Sequence, residues 1–143
     1  MIWREIKDIR GILWITAITT LVLGCGGGST GPKVKQDGRI YVENAWREDD
    51  PIHGPWIQAR VKQIGDRILD TELKPIPYGK GPIEITPEVV PGGDTAVVHI
   101  RTVRWRTLDW DLPFEIDGSI VIRITGMVPD AHDLWYEVRS YAR

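Results

Sequence analysis

An all-β domain made of two antiparallel sheets is what the chain predicts from residue 38 onward, and three observations predict it. Apolar and polar residues alternate with a period of two in several short runs. Clusters of Gly, Pro, Asn and Asp interrupt those runs about every 8–12 residues, the spacing of a sandwich or barrel. After residue 24, no run repeats its apolar positions with the 3.6-residue period of a helix.

The first alternating run is Arg39-Ile40-Tyr41-Val42-Glu43, ahead of a polar loop from Asn44 to Pro55. From Trp56, Ile57, Ala59 and Val61 share one parity and Gln58, Arg60 and Lys62 the other, as in a half-buried strand. Gly65-Asp66 marks a turn. The next run sets Leu69, Thr71 and Leu73 against Asp70 and Glu72. Prolines 75, 77, 82 and 87 break up the stretch after it, leaving at most an edge strand near Ile83-Glu84-Ile85. Pro91-Gly92-Gly93-Asp94 turns the chain into a valine-rich run from Thr95 to Arg106. Gly118 opens a strand with Ile120, Ile122 and Ile124 on one face, and Leu134, Tyr136 and Val138 alternate in a last one. About seven strands in this pattern predict an immunoglobulin-like antiparallel β-sandwich over residues 38–143.

The N-terminus reads differently. Arg4, Lys7 and Arg10, with Glu5 and Asp8 among them, precede the uncharged run Gly11–Gly24. As a helix this run spans about 21 Å, short of the ~30 Å bilayer core, which suits the apolar part of a helical signal peptide. It ends in Val22-Leu23-Gly24-Cys25, which resembles the lipobox of bacterial lipoproteins. The resemblance implies cleavage before Cys25, the only cysteine in the chain, and a diacylglyceryl group on its sulfur. A disulfide within the chain is excluded by that count. A buried thiol is a poor fit between an apolar run and three glycines, and an ordinary cleaved signal or a retained anchor are the other readings of the segment.

Residues 1–24 are thus expected to be a signal peptide, and residues 25–37 a lipidated cysteine with a glycine-rich tether. Gly26 after the cysteine, rather than aspartate, implies the outer membrane in a host with two membranes. The anchor expected is a membrane, reached through lipid on the extracytoplasmic side.

Removing residues 1–24 takes away three of 18 basic and two of 20 acidic side chains, so 15 face 18. That balance offers no footprint for nucleic acid. Of three serines, none lies in a G-x-S-x-G pattern, and with Cys25 committed to lipid no thiol nucleophile remains, so no enzyme activity is expected. His53, His99 and His132 show no close ligand spacing. Glu48-Asp49-Asp50 with His53, and Asp130 with His132 and Asp133, are read as solvated loop groups, with no metal and no cofactor expected. His99, inside the valine-rich strand, is read as a hydrogen-bonded or edge-exposed strand residue rather than a catalyst.

"IQARVKQIGDRILDTEL" and "VVPGGDTAVVHI" are similar to the cell-adhesion-related Ig-like domains of bacterial surface proteins, over about 45 residues. Those often carry V-x-N-x-G at the first turn; Val61-Lys62-Gln63-Ile64-Gly65 lacks the asparagine. The resemblance implies a sandwich with an adhesive or scaffolding role.

The most unusual stretch is Arg104-Trp105-Arg106-Thr107-Leu108-Asp109-Trp110-Asp111. A two-residue Thr107-Leu108 turn sets Arg106 against Asp109, Trp105 against Trp110 and Arg104 against Asp111, each cross-strand pair contributing about 0.2–1 kcal/mol. Thr-Leu suits the positive φ of tight hairpin turns poorly, so a wider loop with other pairings is the alternative. In either, Trp105 and Trp110 are candidates for an aromatic platform, rimmed by Arg104, Arg106, Asp109 and Asp111. Five tryptophans lie beyond Cys25, and the competing reading is that some fill the core or cap its ends. The sequence therefore points to a lipid-anchored, non-enzymatic envelope module that binds a protein partner. A polysaccharide-binding module using exposed tryptophans is the alternative.

Overall fold

The computed structural model describes residues 31–47, 56–103, 107–128 and 133–142. Cys25 and all of segment 1–30, the loop groups Glu48–Asp50 and His53, Arg104, Trp105, Arg106, Asp130 and His132 lie outside the described residues.

Among the described residues there is no helix, and nine strands form two sheets. They are β1 (Ile40–Asn44), β2 (Trp56–Ile64), β3 (Arg67–Ile68), β4 (Lys74–Ile76), β5 (Ile83–Glu84), β6 (Thr95–Val103), β7 (Thr107–Glu115), β8 (Ile120–Val128) and β9 (Asp133–Ser140). One sheet has the order β5-β1-β8-β9; the other has β3-β2-β6-β7, with β4 also on β2.

The alternation read from the sequence sets the faces. Ile57, Ala59 and Val61 of β2, Ala96, Val98 and Ile100 of β6, Ile40 and Val42 of β1, and Ile120, Ile122 and Ile124 of β8 join one buried cluster. Both sheets thus bury their apolar faces in a common core. Each fully buried Ile or Val contributes about 1.5–3 kcal/mol relative to exposure.

Two irregularities keep that core continuous. The β2–β6 register shifts between Val61 and Gln63, so the next core residue after Val61 is Ile64, three positions on. The β8–β9 register shifts between Ile124 and Gly126. An extra residue re-aims one strand without flipping its partner. Asn44, buried at the end of β1, donates from Nδ2 to the Ile76 carbonyl of β4 at 3.1 Å and so links the two sheets.

Three expectations need correction. The sheets are not antiparallel throughout, because β1 and β8 run parallel, Ile40 opposite Ile120 through Asn44 opposite Ile124. Parallel neighbours need a long crossover, and the chain between these two strands supplies it. Leu69–Leu73 is not a strand. Only its flanks, β3 and β4, pair with β2, while Thr71 Oγ1 donates to the Val61 carbonyl at 2.7 Å. Prolines 75 and 77 leave β4 only three residues long. The third correction is at the tether: the compact unit begins at Val34, and residues 35–37 are bonded to the domain. The Gln36 amide donates to Asp117 Oδ1 at 3.0 Å and its carbonyl accepts from Gly118 N at 2.7 Å. Lys35 pairs with Glu115.

Two glycines make that docking possible. A Cβ on Gly38 would stand 2.1 Å from the Gly118 carbonyl oxygen, and one on Gly92 2.2 Å from that of Lys35. Both obstacles are main chain and cannot rotate away.

Gly92→Ala and Gly38→Ala are each expected to cost about 1–3 kcal/mol of stability, whereas Gly31→Ala, with no atom within 4 Å, leaves it unchanged. Urea unfolding of the three variants checks this. Equal midpoints would show that the close approach of residues 35–38 contributes nothing.

Candidate functional site: a charge ladder on the five-stranded sheet

Strand β7 alternates cleanly, Leu108, Trp110, Leu112 and Phe114 half-buried against exposed Thr107, Asp109, Asp111, Pro113 and Glu115. Its register on β6 places Asp111 opposite His99 and Asp109 opposite Arg101. On the other side of β6, β2 sets Arg60 opposite His99 and Gln58 opposite Arg101. By the same alternation Lys62 joins Gln58 and Arg60 on this outer face.

The side chains form a ladder. His99 Nδ1 lies 2.7 Å from Asp111 Oδ1, and Nε2 lies 3.0 Å from Asp109 Oδ1. Arg101 Nε donates to Asp109 Oδ1 at 2.7 Å and Lys62 Nζ to Asp111 Oδ2 at 2.8 Å. A neutral imidazole donates from one nitrogen only, so both carboxylates accept at once only from the doubly protonated ring. Arg60 Nη1 turns away to the Thr71 carbonyl at 3.1 Å.

The contacts explain the electrostatics. Asp109 is held below the ordinary aspartate pKa chiefly by its bond from Arg101, with partial burial opposing and His99 adding to the effect. Asp111 is lowered chiefly by its bond from Lys62 and next by His99, again against partial burial. Both carboxylates are thus acceptors locked to fixed donors.

The hairpin differs from the Thr107-Leu108 turn. Thr107 and Leu108 are strand residues opposite Val103 and Thr102, so the turn does not lie at these two residues. Asp109 and Asp111 therefore pair with Arg101, His99 and Lys62, the pairing that a wider loop allows. Trp110 faces inward beside Ile100 and packs on the core, as does Trp46. Among the described residues the two exposed tryptophans are Trp56, 71% exposed on β2, and Trp135, 56% exposed on β9. These strands belong to different sheets, so Trp56 and Trp135 form no shared platform with each other.

Lys62, His99 and Arg101 are the ladder members that the sequence did not mark. The signal was present: alternation from Leu108 to Phe114 makes Asp109 and Asp111 outward residues of a strand, and centring the hairpin on Trp105 sets Asp111 against His99. His99 is indeed a hydrogen-bonded strand residue. Among the described residues no group of His, Cys, Asp and Glu is arranged to hold a metal ion.

A carboxylate whose folded-state pKa is lowered adds stability above its unfolded value, about 3.9 for aspartate, and loses it as pH falls through the folded value. The double variant Asp109→Asn, Asp111→Asn should therefore be less stable than the parent near pH 7. Between about pH 5 and pH 2 it should lose less further stability than the parent does. Urea unfolding at several pH values tests this; equally steep acid losses in both proteins would mean that the ladder supplies none of the acid sensitivity.

Compared with protein-family models, with curated proteins and with solved structures, the chain matches none, so its function is to be read from its own residues.

Proposed function

We propose that the chain is a lipid-anchored, non-enzymatic binding or assembly module of a bacterial cell envelope, which presents its β-sandwich to a protein partner. The observation that carries this reading is the ladder Lys62–Asp111–His99–Asp109–Arg101 on an outer sheet face. Interlocked opposite charges on an outer strand face favour one orientation of a complementary surface and disfavour others. Acid–base catalysis asks instead for a group free to exchange a proton with a substrate. Here Asp109 is already bonded to Arg101 and Asp111 to Lys62, with His99 between them.

Trp56, exposed on the same strand as Lys62, adds the type of side chain most enriched at binding hot spots. Among the described residues the exposed tryptophans, Trp56 and Trp135, lie on different sheets, whereas the polysaccharide alternative needs neighbouring coplanar rings.

We read the sandwich as immunoglobulin-like. The chain passes between the two sheets after β1, β4, β5 and β7, and the sheets share one core. The membrane anchor rests on Cys25 and its lipobox. Two or more acyl chains hold a protein at a bilayer stably, where one does so only marginally.

The full chain, expressed in a bacterial host with an alkynyl fatty acid, is expected to take up label and sediment with membranes. Cys25→Ala should abolish both, and label retained by that variant would refute the anchor. Cross-linking and capture of the tagged full chain from its host envelope should then recover a defined protein. Recovery should fall at least about fivefold in Trp56→Ala or Lys62→Glu, the loss expected of a modest hot spot. Recovery of glycan alone, lost in Trp56→Ala or Trp105→Ala, would establish the polysaccharide reading instead.

A further inference from the structure

We propose that the chain pairs with a second copy of itself along β9, antiparallel and across a two-fold axis at Tyr136, joining two four-stranded sheets into one. This surface lies on the other sheet from the charge ladder, so the two readings stand or fall separately.

The two long edge strands, β7 and β9, differ in how their edges are guarded. The Ile116 amide donates to the Asp94 carbonyl at 3.0 Å, which turns the even-numbered positions before it toward β6. Odd-numbered positions of β7 therefore direct their main chain outward, and Pro113 is one of them. Proline there costs the β6 ladder no bond and removes a donor from the free edge, a common protection against added strands.

Strand β9 has no such guard. It contains no proline, and the irregularity in its pairing with β8 places the extra residue, Thr125, in β8. Among the described residues nothing pairs with its outer edge. The Tyr141 amide donates to the Ser119 carbonyl at 2.8 Å. By alternation, the main-chain groups of Leu134, Tyr136, Val138 and Ser140 point away from β8, free to pair. The side chains of Leu134, Tyr136 and Val138 share the core-facing side, where Tyr136 meets Phe114 edge-on with ring centroids 6.0 Å apart. Yet Tyr136 is 39% and Val138 47% exposed, because the sheet ends there.

Charge and the apolar row together select the occupant and the register: an axis at Val138 also opposes unlike charges, Glu137 to Arg139, but sets Tyr136 against Ser140 and breaks the apolar row. Opposed residues in an antiparallel pair share a face, and only outward-directed positions exchange main-chain bonds. An axis at Glu137 sets that carboxylate against its own copy, and an axis at Trp135 sets Asp133 against Glu137. With the axis at Tyr136, Asp133 faces Arg139, Leu134 faces Val138, and Tyr136 faces Tyr136. Leu134, Tyr136 and Val138 are then the bonding positions. Arg139 already lies on the outer face, where its Nη2 is 2.6 Å from Glu137 Oε2. Each dimer contains the Asp133–Arg139 pair twice, as a closed two-fold interface requires.

The test uses two differently tagged copies of the full chain, co-expressed and solubilised in excess detergent, with capture of one tag and quantification of the other. The parent should co-capture its second copy. Arg139→Asp and Asp133→Arg should each reduce co-capture by about tenfold, because two opposite-charge contacts become two like-charge ones. The double variant Asp133→Arg, Arg139→Asp should restore it, which also shows that the single variants failed through charge rather than folding. No co-capture by the parent, co-capture unchanged by the single reversals, or no rescue by the double reversal would each overturn the proposal. So would capture of a different protein in place of the second copy.

Discussion

The apolar seam in which β2 and β6 of one sheet and β1 and β8 of the other bury their Ile, Val and Ala side chains is the interaction on which the rest depends. A strand's side chains alternate faces, so committing one parity of β6 to this seam commits the other to the outside. Ala96, Val98 and Ile100 face in; His99 and Arg101 must then lie on the outer face with Asp109 and Asp111 of β7. The charge ladder is in this sense a consequence of core formation. The irregularity in β2 belongs to the same logic, because it returns Ile64 to the core after alternation has left Lys62 outside.

A second constraint comes from the placement of β1. This strand lies inside its sheet, between β5 and β8, so the segment leading into it has to cross the end of the domain closely packed. Gly38 and Gly92 permit main-chain approaches that any side chain would block. Arg39 pairs with Glu84 of β5 and holds that carboxyl below its ordinary range. The Tyr41 and Tyr141 rings stack at 4.1 Å, drawing the residue after β9 onto β1. The four-stranded sheet is therefore fastened at its centre and short on its β5 side, and its one long edge is β9.

The two sheets then suit different contacts. The five-stranded sheet offers a polar face of interlocked charges beside an exposed tryptophan, and Pro113 blunts its long edge. The four-stranded sheet offers, along β9, main chain that nothing among the described residues pairs with, and a partly covered apolar row. An anchor at Cys25 would confine such a domain to a membrane surface, where weak lateral contacts gain from high local concentration.

The chain's own pattern determined most of the strands. Ile57, Ala59 and Val61, Ile120, Ile122 and Ile124, and Leu134, Tyr136 and Val138 read correctly because a local period of two reports directly which face is apolar. Prolines 75 and 77 pointed to at most an edge strand near Ile83-Glu84-Ile85, whereas the short strand β4 forms across Pro75 because β2 lies alongside it. Local pattern also carried the lipobox reading, which depends on covalent chemistry at Cys25 and on no fold. What only the tertiary structure decided were matters of partnership: the parallel neighbour of β1, the docking of residues 35–37, the inward turn of Trp110, and the gathering of Lys62, His99, Arg101, Asp109 and Asp111. The physical reason is one of range. Alternation is a property of neighbouring residues, whereas register depends on which strand lies alongside, and a shift of one residue in the hairpin would have carried Asp111 from His99 to a different partner.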